Sequence, residues 1–228
     1  MRKTIAIIVA AGSSSRMRNV SNKTCKDKLF AEINGKLVLL YSLEAFQAAD
    51  SVDEIIVVCS DNSQIFRRVR RLCENIPKVI DIVPGGSVRA QSVRNGLNAI
   101  KYTDGIVAIH DGARPLVTPK LIDEVVAVAR EFRAAIPAVA VKDTVKIMQY
   151  GFVESTPDRS SLYAAQTPQV FDLKLYREAG ATLDVTDDSM LVEKMGVKVR
   201  IVDGDERNIK ITTPEDLKIA GVLLNGIN

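Results

Sequence analysis

His110-Asp111-Gly112-Ala113-Arg114-Pro115 closes an apolar run with a carboxylate and a guanidinium three residues apart. A carboxylate at a strand end among cations suits a Mg²⁺ carried by a nucleoside triphosphate, because Mg²⁺ is held by one or two carboxylates together with phosphate oxygens. The alternative is an Asp111–Arg114 ion pair within the loop, which is compatible with the same function. His110, the only histidine, reads as a structural residue rather than a base, since attack by an already anionic phosphate needs no proton removed. Two further stretches carry related chemistry. Ala10-Ala11-Gly12-Ser13-Ser14-Ser15-Arg16-Met17 follows the run Thr4-Ile5-Ala6-Ile7-Ile8-Val9; amides of a Gly and Ser loop can converge on an anion, and Arg16 adds a planar fork for phosphate oxygens. Gly85-Gly86-Ser87-Val88-Arg89-Ala90-Gln91-Ser92 puts two small residues at a helix start, where a ligand can approach closely, with Arg89 and Ser92 three apart on one face. The first loop lacks the Gly-Lys-Ser/Thr of a Walker A motif, and its single Gly disfavours a nicotinamide-dependent dehydrogenase.

These loops need strands to bring them together. Apolar runs at 4–9, 55–58, 79–83, 105–109 and 138–141 read as strands. Between them lie helical patterns at 37–49, from Asp61 as cap through Cys73, from about 87 to 100, and from Pro119 behind Thr118 as N-cap. Such alternation predicts a mostly parallel α/β sheet with helices on both faces. Ligands of open α/β sheets bind outside the carboxyl ends of the strands, and all three loops follow strand ends. Helices near 173–179 and 187–195, a strand at 197–202 and a last helix from Pro214 complete a single domain over 1–228.

Residues 142–148 and 152–155 flank Gln149-Tyr150-Gly151 like an extended hairpin. A two-stranded hairpin is marginal in water unless it packs on something. A protruding β-arm at about 142–160 is therefore expected to lie on a second subunit and form a homodimer, the alternative being an arm folded back on its own domain. Cys25, Cys59 and Cys73 lack metal or disulfide spacing and read as plain thiols. With 31 basic and 28 acidic residues, a net charge of +3 leaves no nucleic-acid footprint, and Arg67 to Arg71 read as a solvated helix face. No membrane span, signal or transit segment is expected, which places the protein in the cytoplasm.

Ala-Ala-Gly-x-x-x-Arg-Met, Lys28-Leu29-Phe30, Gly-Gly-x-x-Arg-x-x-Ser-Val, His-Asp-Gly-Ala-Arg-Pro, Asp158-Arg159-Ser160, Gln166-Thr167-Pro168-Gln169, Thr186-Asp187-Asp188 and Asn208-Ile209-Lys210-Ile211-Thr212 occur in this order. Together they resemble the 2-C-methyl-D-erythritol 4-phosphate cytidylyltransferase family. The resemblance implies a Rossmann-like homodimeric enzyme of the non-mevalonate isoprenoid pathway, using CTP and Mg²⁺ to convert methylerythritol phosphate and release pyrophosphate. Carried over by position, it makes Arg16 and Lys28 the cations that stabilise charge on the triphosphate. Ala10, Ala11, Gly12, Gly86, Arg89, Ser92 and Gly112 would line the cytidine and phosphate pocket, with Asp111 as metal ligand. Asp111, Arg114, Thr144, Arg159, Thr167, Thr186 and Lys210 would hold the sugar phosphate, Arg159 and Lys210 gripping the attacking 4-phosphate. Thr144 and Arg159 would reach a neighbour's site through arm exchange. Asp27 stands before Lys28 where Pro or Asn is common in the family, and Lys26 and Lys23 are alternative holders of that role. Ribitol 5-phosphate cytidylyltransferase and a non-catalytic nucleotide-binding regulator are the competing readings.

Overall fold

The structure, a computed structural model, describes residues 2–12, 28–180, 185 and 187–226. Arg16 and Thr186, as well as Cys25, lie outside the described residues. The elements run β1 (Thr4–Ala10), β2 (Glu32–Ile33), β3 (Lys36–Leu37), α1 (Val38–Ala48), β4 (Glu54–Cys59), α2 (Ser63–Cys73), β5 (Val79–Pro84), α3 (Arg89–Ala99), β6 (Ile106–Asp111), α4 (Pro119–Phe132) and β7 (Ala134–Ala140). After the hairpin β8 (Ile147–Gln149) and β9 (Phe152–Ser155) come β10 (Tyr163–Ala165), β11 (Gln169–Asp172), α5 (Leu173–Ala179), α6 (Ser189–Glu193), β12 (Arg200–Asp203) and α7 (Pro214–Asn225).

Eight strands form one sheet in the order β10-β7-β11-β6-β1-β4-β5, with β12 beside β7. β1 sits in the middle, parallel to β4 and β6, with Ile7 opposite Ile56 on one side and Ile109 on the other. Alternate side chains of a strand face opposite ways. Ala6 and Ile8 therefore join a core with Leu43, Phe46 and Ile122 under α1 and α4, while Ile5 and Ile7 join Val93, Leu97 and Tyr176 under α3 and α5. This double coverage explains why β1 reads as a continuous apolar run. Gly96 allows α3 to press close: a Cβ there would lie 2.7 Å from Ile7 Cγ2.

The Rossmann-like α/β reading holds, with several refinements. β10 and β11 run antiparallel to their neighbours, where the sequence showed only a return to the core. β7 starts at Ala134, earlier than the apolar run at 138, because Arg133 adopts a left-handed conformation (φ 71°) that ends α4 abruptly. The strand tolerates Pro137 where its β10 and β11 pairings leave a gap, and the Pro137 carbonyl accepts from the Gln166 N–H at 2.8 Å. Asn62, rather than Asp61, caps α2 by accepting from the Gln64 and Ile65 N–H groups.

Among the described residues β8 and β9 pair only with each other, through a turn with positive φ at Tyr150 (51°) and Gly151 (86°). That is the backbone demanded by a primed hairpin turn. Ile147, Met148, Phe152 and Val153 are exposed on it, and Tyr150 is 89% exposed.

Candidate active site

The parallel strands β1, β4, β5 and β6 end at one rim, and a cavity of about 380 Å³ opens there. Its wall includes Ala11 and Gly12 after β1, Gly86, Ser87, Arg89 and Ser92 after β5, Asp111 at the end of β6, Lys28 from the short 3-10 turn Lys28–Phe30, and Lys210 from a loop. Six positions named from sequence in the nucleotide pocket or metal role, Ala11, Gly12, Gly86, Arg89, Ser92 and Asp111, thus meet in one place, with Lys28 and Lys210 beside them.

Asp111 is the hub. One carboxylate oxygen accepts from Arg89 Nε at 3.0 Å, and the other lies 2.6 Å from Lys210 Nζ. Burial alone would raise this carboxyl group, but the adjacent Arg89 and Lys210 cations outweigh it and hold Asp111 well below the usual carboxylate range. Arg89 has a second anchor, Asp188, at 2.7 Å, and the buried Asp188 in turn accepts from Tyr176 Oη at 2.8 Å. Burial disfavours the Arg89 charge, yet Asp188 and Asp111 together push its pKa above the ordinary value. The alternative reading of this loop, an Asp111–Arg114 ion pair, is not the contact that forms. Arg114 instead donates from Nη1 to the Asn208 carbonyl at 2.6 Å and from its backbone N–H to the Asp111 carbonyl at 2.9 Å.

Behind the rim lies a buried brace. Thr167 Oγ1 accepts from the Asp111 N–H at 3.2 Å and sits 3.0 Å from His110 Nδ1. Burial pulls the His110 imidazole down to about 3, so it stays neutral and structural, as read from the sequence. Asn208, fully buried, donates to the Thr167 carbonyl at 3.0 Å. The Ile211 N–H donates to the Ala113 carbonyl at 2.8 Å, and Lys28 Nζ donates to the Ile211 carbonyl at 3.0 Å. The Lys28, Lys210 and Asp111 segments are therefore fastened to one another before any ligand arrives. In the sequence Asn208 and Asp188 stand only within motifs and show no role of their own, because their partners lie far away in the chain.

Other anticipated residues stand apart from the cavity wall. Ala10 is buried at the end of β1, and the Gly112 N–H donates to the Val9 carbonyl at 3.0 Å. The Thr167 hydroxyl is occupied in the brace. Thr144 and Arg159 are exposed near the arm, and Arg159 Nη1 donates to the Lys142 carbonyl at 2.6 Å.

A rim that offers cations, one carboxylate and a floor of small residues to a phosphate chain defines a nucleotidyltransferase on a Rossmann-like sheet. The family model described as 2-C-methyl-D-erythritol 4-phosphate cytidylyltransferase matches residues 4–226. A protein of that name from Caldanaerobacter subterraneus subsp. tengcongensis is 45% identical, over 96% of this chain and 97% of its own length. One from Clostridium perfringens is 42% identical, over 96% and 98%. A solved 4-diphosphocytidyl-2C-methyl-D-erythritol synthase from Anaerococcus prevotii superposes with a TM-score of 0.83 at 34% identity, covering 98% of this chain and 99% of that one. The chain belongs to the 2-C-methyl-D-erythritol 4-phosphate cytidylyltransferase family.

Proposed function

We propose that the protein transfers the cytidylyl group of CTP to 2-C-methyl-D-erythritol 4-phosphate, giving 4-diphosphocytidyl-2-C-methyl-D-erythritol and pyrophosphate. An oxygen of the sugar 4-phosphate attacks the α-phosphorus, and the bond from that phosphorus to the oxygen bridging to the β-phosphate breaks. The electron pair leaves with pyrophosphate. The chemistry needs alignment and charge stabilisation more than covalent help. The observation that carries this reading is the Arg89–Asp111–Lys210 chain of contacts at the strand ends, inside a chain whose motifs and relatives are those of the family.

Roles follow from position. Lys28 and Lys210 face the cavity and would meet phosphate oxygens, with Arg16 assigned alongside them from the sequence. Arg89 is tied to two carboxylates, so its work is to hold Asp111 rather than to hand its fork to a ligand. The donor set also fits Mg²⁺. Among the described residues no group of three or more His, Cys, Asp or Glu could hold a metal, and a lone carboxylate suits a cation delivered on a triphosphate. Asp111 would hold it, each oxygen keeping a lone pair beyond its present contact. When bound, Mg²⁺ neutralises charge on the phosphate oxygens.

The arm completes the proposal. Its exposed apolar side chains support a homodimer in which each arm covers the partner, bringing Thr144 and Arg159 to the neighbour's sugar phosphate. Thr186 and Arg114 would join that grip. Among the described residues no helix is long and apolar enough to cross a membrane, and a reaction between polyanions is placed in the cytoplasm. Pyrophosphate release from CTP with methylerythritol phosphate, lost on chelation of divalent cations, is the expected result. Release with ribitol 5-phosphate in its place, and not with methylerythritol phosphate, would reverse the assignment.

A further inference from the structure

Lys210 reaches the cavity from the loop that follows β12, and its ammonium lies 2.6 Å from Asp111. Lysine carries a point charge on a flexible stem, so where the charge falls depends on how firmly the backbone beneath it is held. Here a side chain from another part of the chain does the holding. Gln166, only 6% exposed, meets the loop with both ends of its amide. Its Nε2 donates to the Asp205 carbonyl at 2.8 Å, and its Oε1 accepts from the Asp205 N–H at 3.3 Å and from Asn208 Nδ2 at 3.4 Å. Turning the amide over would set donor against donor and carbonyl against carbonyl, so these partners fix its orientation. The same Asp205 carbonyl takes the Asn208 N–H at 2.9 Å, which closes the turn leading to Lys210. Gly204 makes room for the clamp: a Cβ there would lie 2.7 Å from Gln166 Oε1. The outer tie of the loop, Lys142 to Glu206, is solvent-exposed, and exposed ion pairs contribute little.

Gln166 is itself anchored, its N–H donating to the Pro137 carbonyl of β7 at 2.8 Å. Its neighbour Thr167 accepts from the Asp111 N–H. Two consecutive side chains thus hold two different segments, Gln166 the loop that carries Lys210 and Thr167 the strand end that carries Asp111. Between them they set the spacing of the lysine from the carboxylate. Gln166 lies outside the cavity wall, so it acts through the loop and not on a ligand. We propose that Gln166 is a positioning residue for the transfer, clamping the 204–208 turn so that Lys210 meets the phosphate of methylerythritol phosphate. The assignment rests on the proposed function and adds to it the residue that places this lysine.

Gln166→Met fills the same space with an unbranched side chain and removes both ends of the amide. It is expected to lower kcat/KM for methylerythritol phosphate about tenfold, through KM, with CTP affinity by direct titration within about twofold of wild type. In a Lys210→Ala background the same substitution should cost less than about twofold, because the group it places is gone. Gln166→Glu keeps the shape but faces the Asp205 carbonyl lone pair to lone pair. It should show the same defect, confined to methylerythritol phosphate, whether or not Gln166→Met folds. Hydrogen exchange of the free protein reads the clamp without turnover: the Asp205, Asn208 and Ile211 amides should exchange at least about fivefold faster in either variant, with those of β1 and β4 unchanged. An equal cost with and without Lys210, a comparable loss of CTP affinity, or unmoved exchange in the loop overturns the role of Gln166 while leaving cytidylyltransfer standing. A wild type that releases no pyrophosphate, in which Gln166 still governs exchange of the loop, fails the functional reading and not the clamp.

Discussion

The nucleotide rim and the β8–β9 hairpin are built on opposite principles. At the rim, Asp111, Arg89, Asp188, Thr167 and Asn208 are linked by ion pairs and hydrogen bonds inside a single chain, and Lys28 and Lys210 are tied to the same segments. Electrostatic stabilisation of developing charge works best from groups that need no reorganisation, and Arg89, Asp111 and Lys210 are already held in place by one another. The hairpin is the reverse. Tyr150 is 89% and Phe152 79% exposed, and it is this apolar surface that the proposed dimer would cover. Arg159, near the arm, spends its guanidinium on the Lys142 carbonyl. Under the proposed function, nucleotide binding would be a property of one chain and the grip on the acceptor would be completed by a partner.

The comparison breaks most completely at its hub. Asp111→Ala leaves Arg89 and Lys210 facing each other without their shared anion and removes the carboxylate available to a metal. We expect kcat/KM to fall by about a thousandfold or more, with a lower melting temperature, measured by pyrophosphate release and thermal unfolding. Retention of a tenth of the activity would show that the rim is not organised around this carboxylate.

The hairpin should fail differently. Tyr150→Glu with Phe152→Glu places two charges where a partner is expected, and should give monomers on light scattering. The KM for methylerythritol phosphate should rise at least about tenfold, with CTP affinity within about twofold of wild type. Arg159→Ala should reproduce the acceptor KM change in an intact dimer, which separates the grip from the assembly that delivers it. A double-Glu variant that stays dimeric would rule out the hairpin as the contact. A smaller effect is expected from Asp188→Asn, which weakens one of the two anchors of Arg89 and keeps the side-chain shape. About a tenfold loss in kcat/KM is expected, falling on CTP and not on the acceptor.

The contrast also explains what could be read from the chain. The central strands and the loops after them were legible because a strand buried on both faces writes itself as an uninterrupted apolar run, and ligand loops follow such runs. Asp111 was legible as chemistry, and Lys210 only through the family motif it stands in. The residues that brace the rim were not: Asp188 reaches Arg89 across 99 residues of chain and Asn208 reaches Thr167 across 41, and spacing carries no trace of pairings that only folding creates. β10 and β11 escaped for a local reason. Tyr163-Ala164-Ala165 and Gln169-Val170-Phe171-Asp172 are short and lie either side of Thr167-Pro168, a dipeptide that reads as a break. The hairpin was visible through its turn residues, with Gly151 supplying one of the two positive φ angles.

The smallest effect tests whether the brace behind the rim is purely structural. His110 ordinarily titrates near 6.5, and burial lowers it to about 3 in the fold. Between those values the unfolded chain takes up a proton that the native state refuses, so stability is full above about pH 6.5 and declines as the pH falls toward 3. At about 1.4 kcal/mol per pH unit, the loss by pH 5 is on the order of 2 kcal/mol. Asp111 adds to it at lower pH. Its depressed pKa gives stability above the ordinary carboxylate range that disappears as the pH drops through that range toward the folded value. Urea unfolding at pH 7 and pH 5 should show the His110 component directly. His110→Asn, a neutral side chain that can still meet the Thr167 hydroxyl, should flatten the difference between the two pH values even if it costs stability at both. The pH profile of kcat/KM should have no limb that disappears in His110→Asn. A limb near pH 6.5 that vanished with the histidine would move His110 from the brace into the chemistry, and the rim would then have to be described as more than a fixed electrostatic frame.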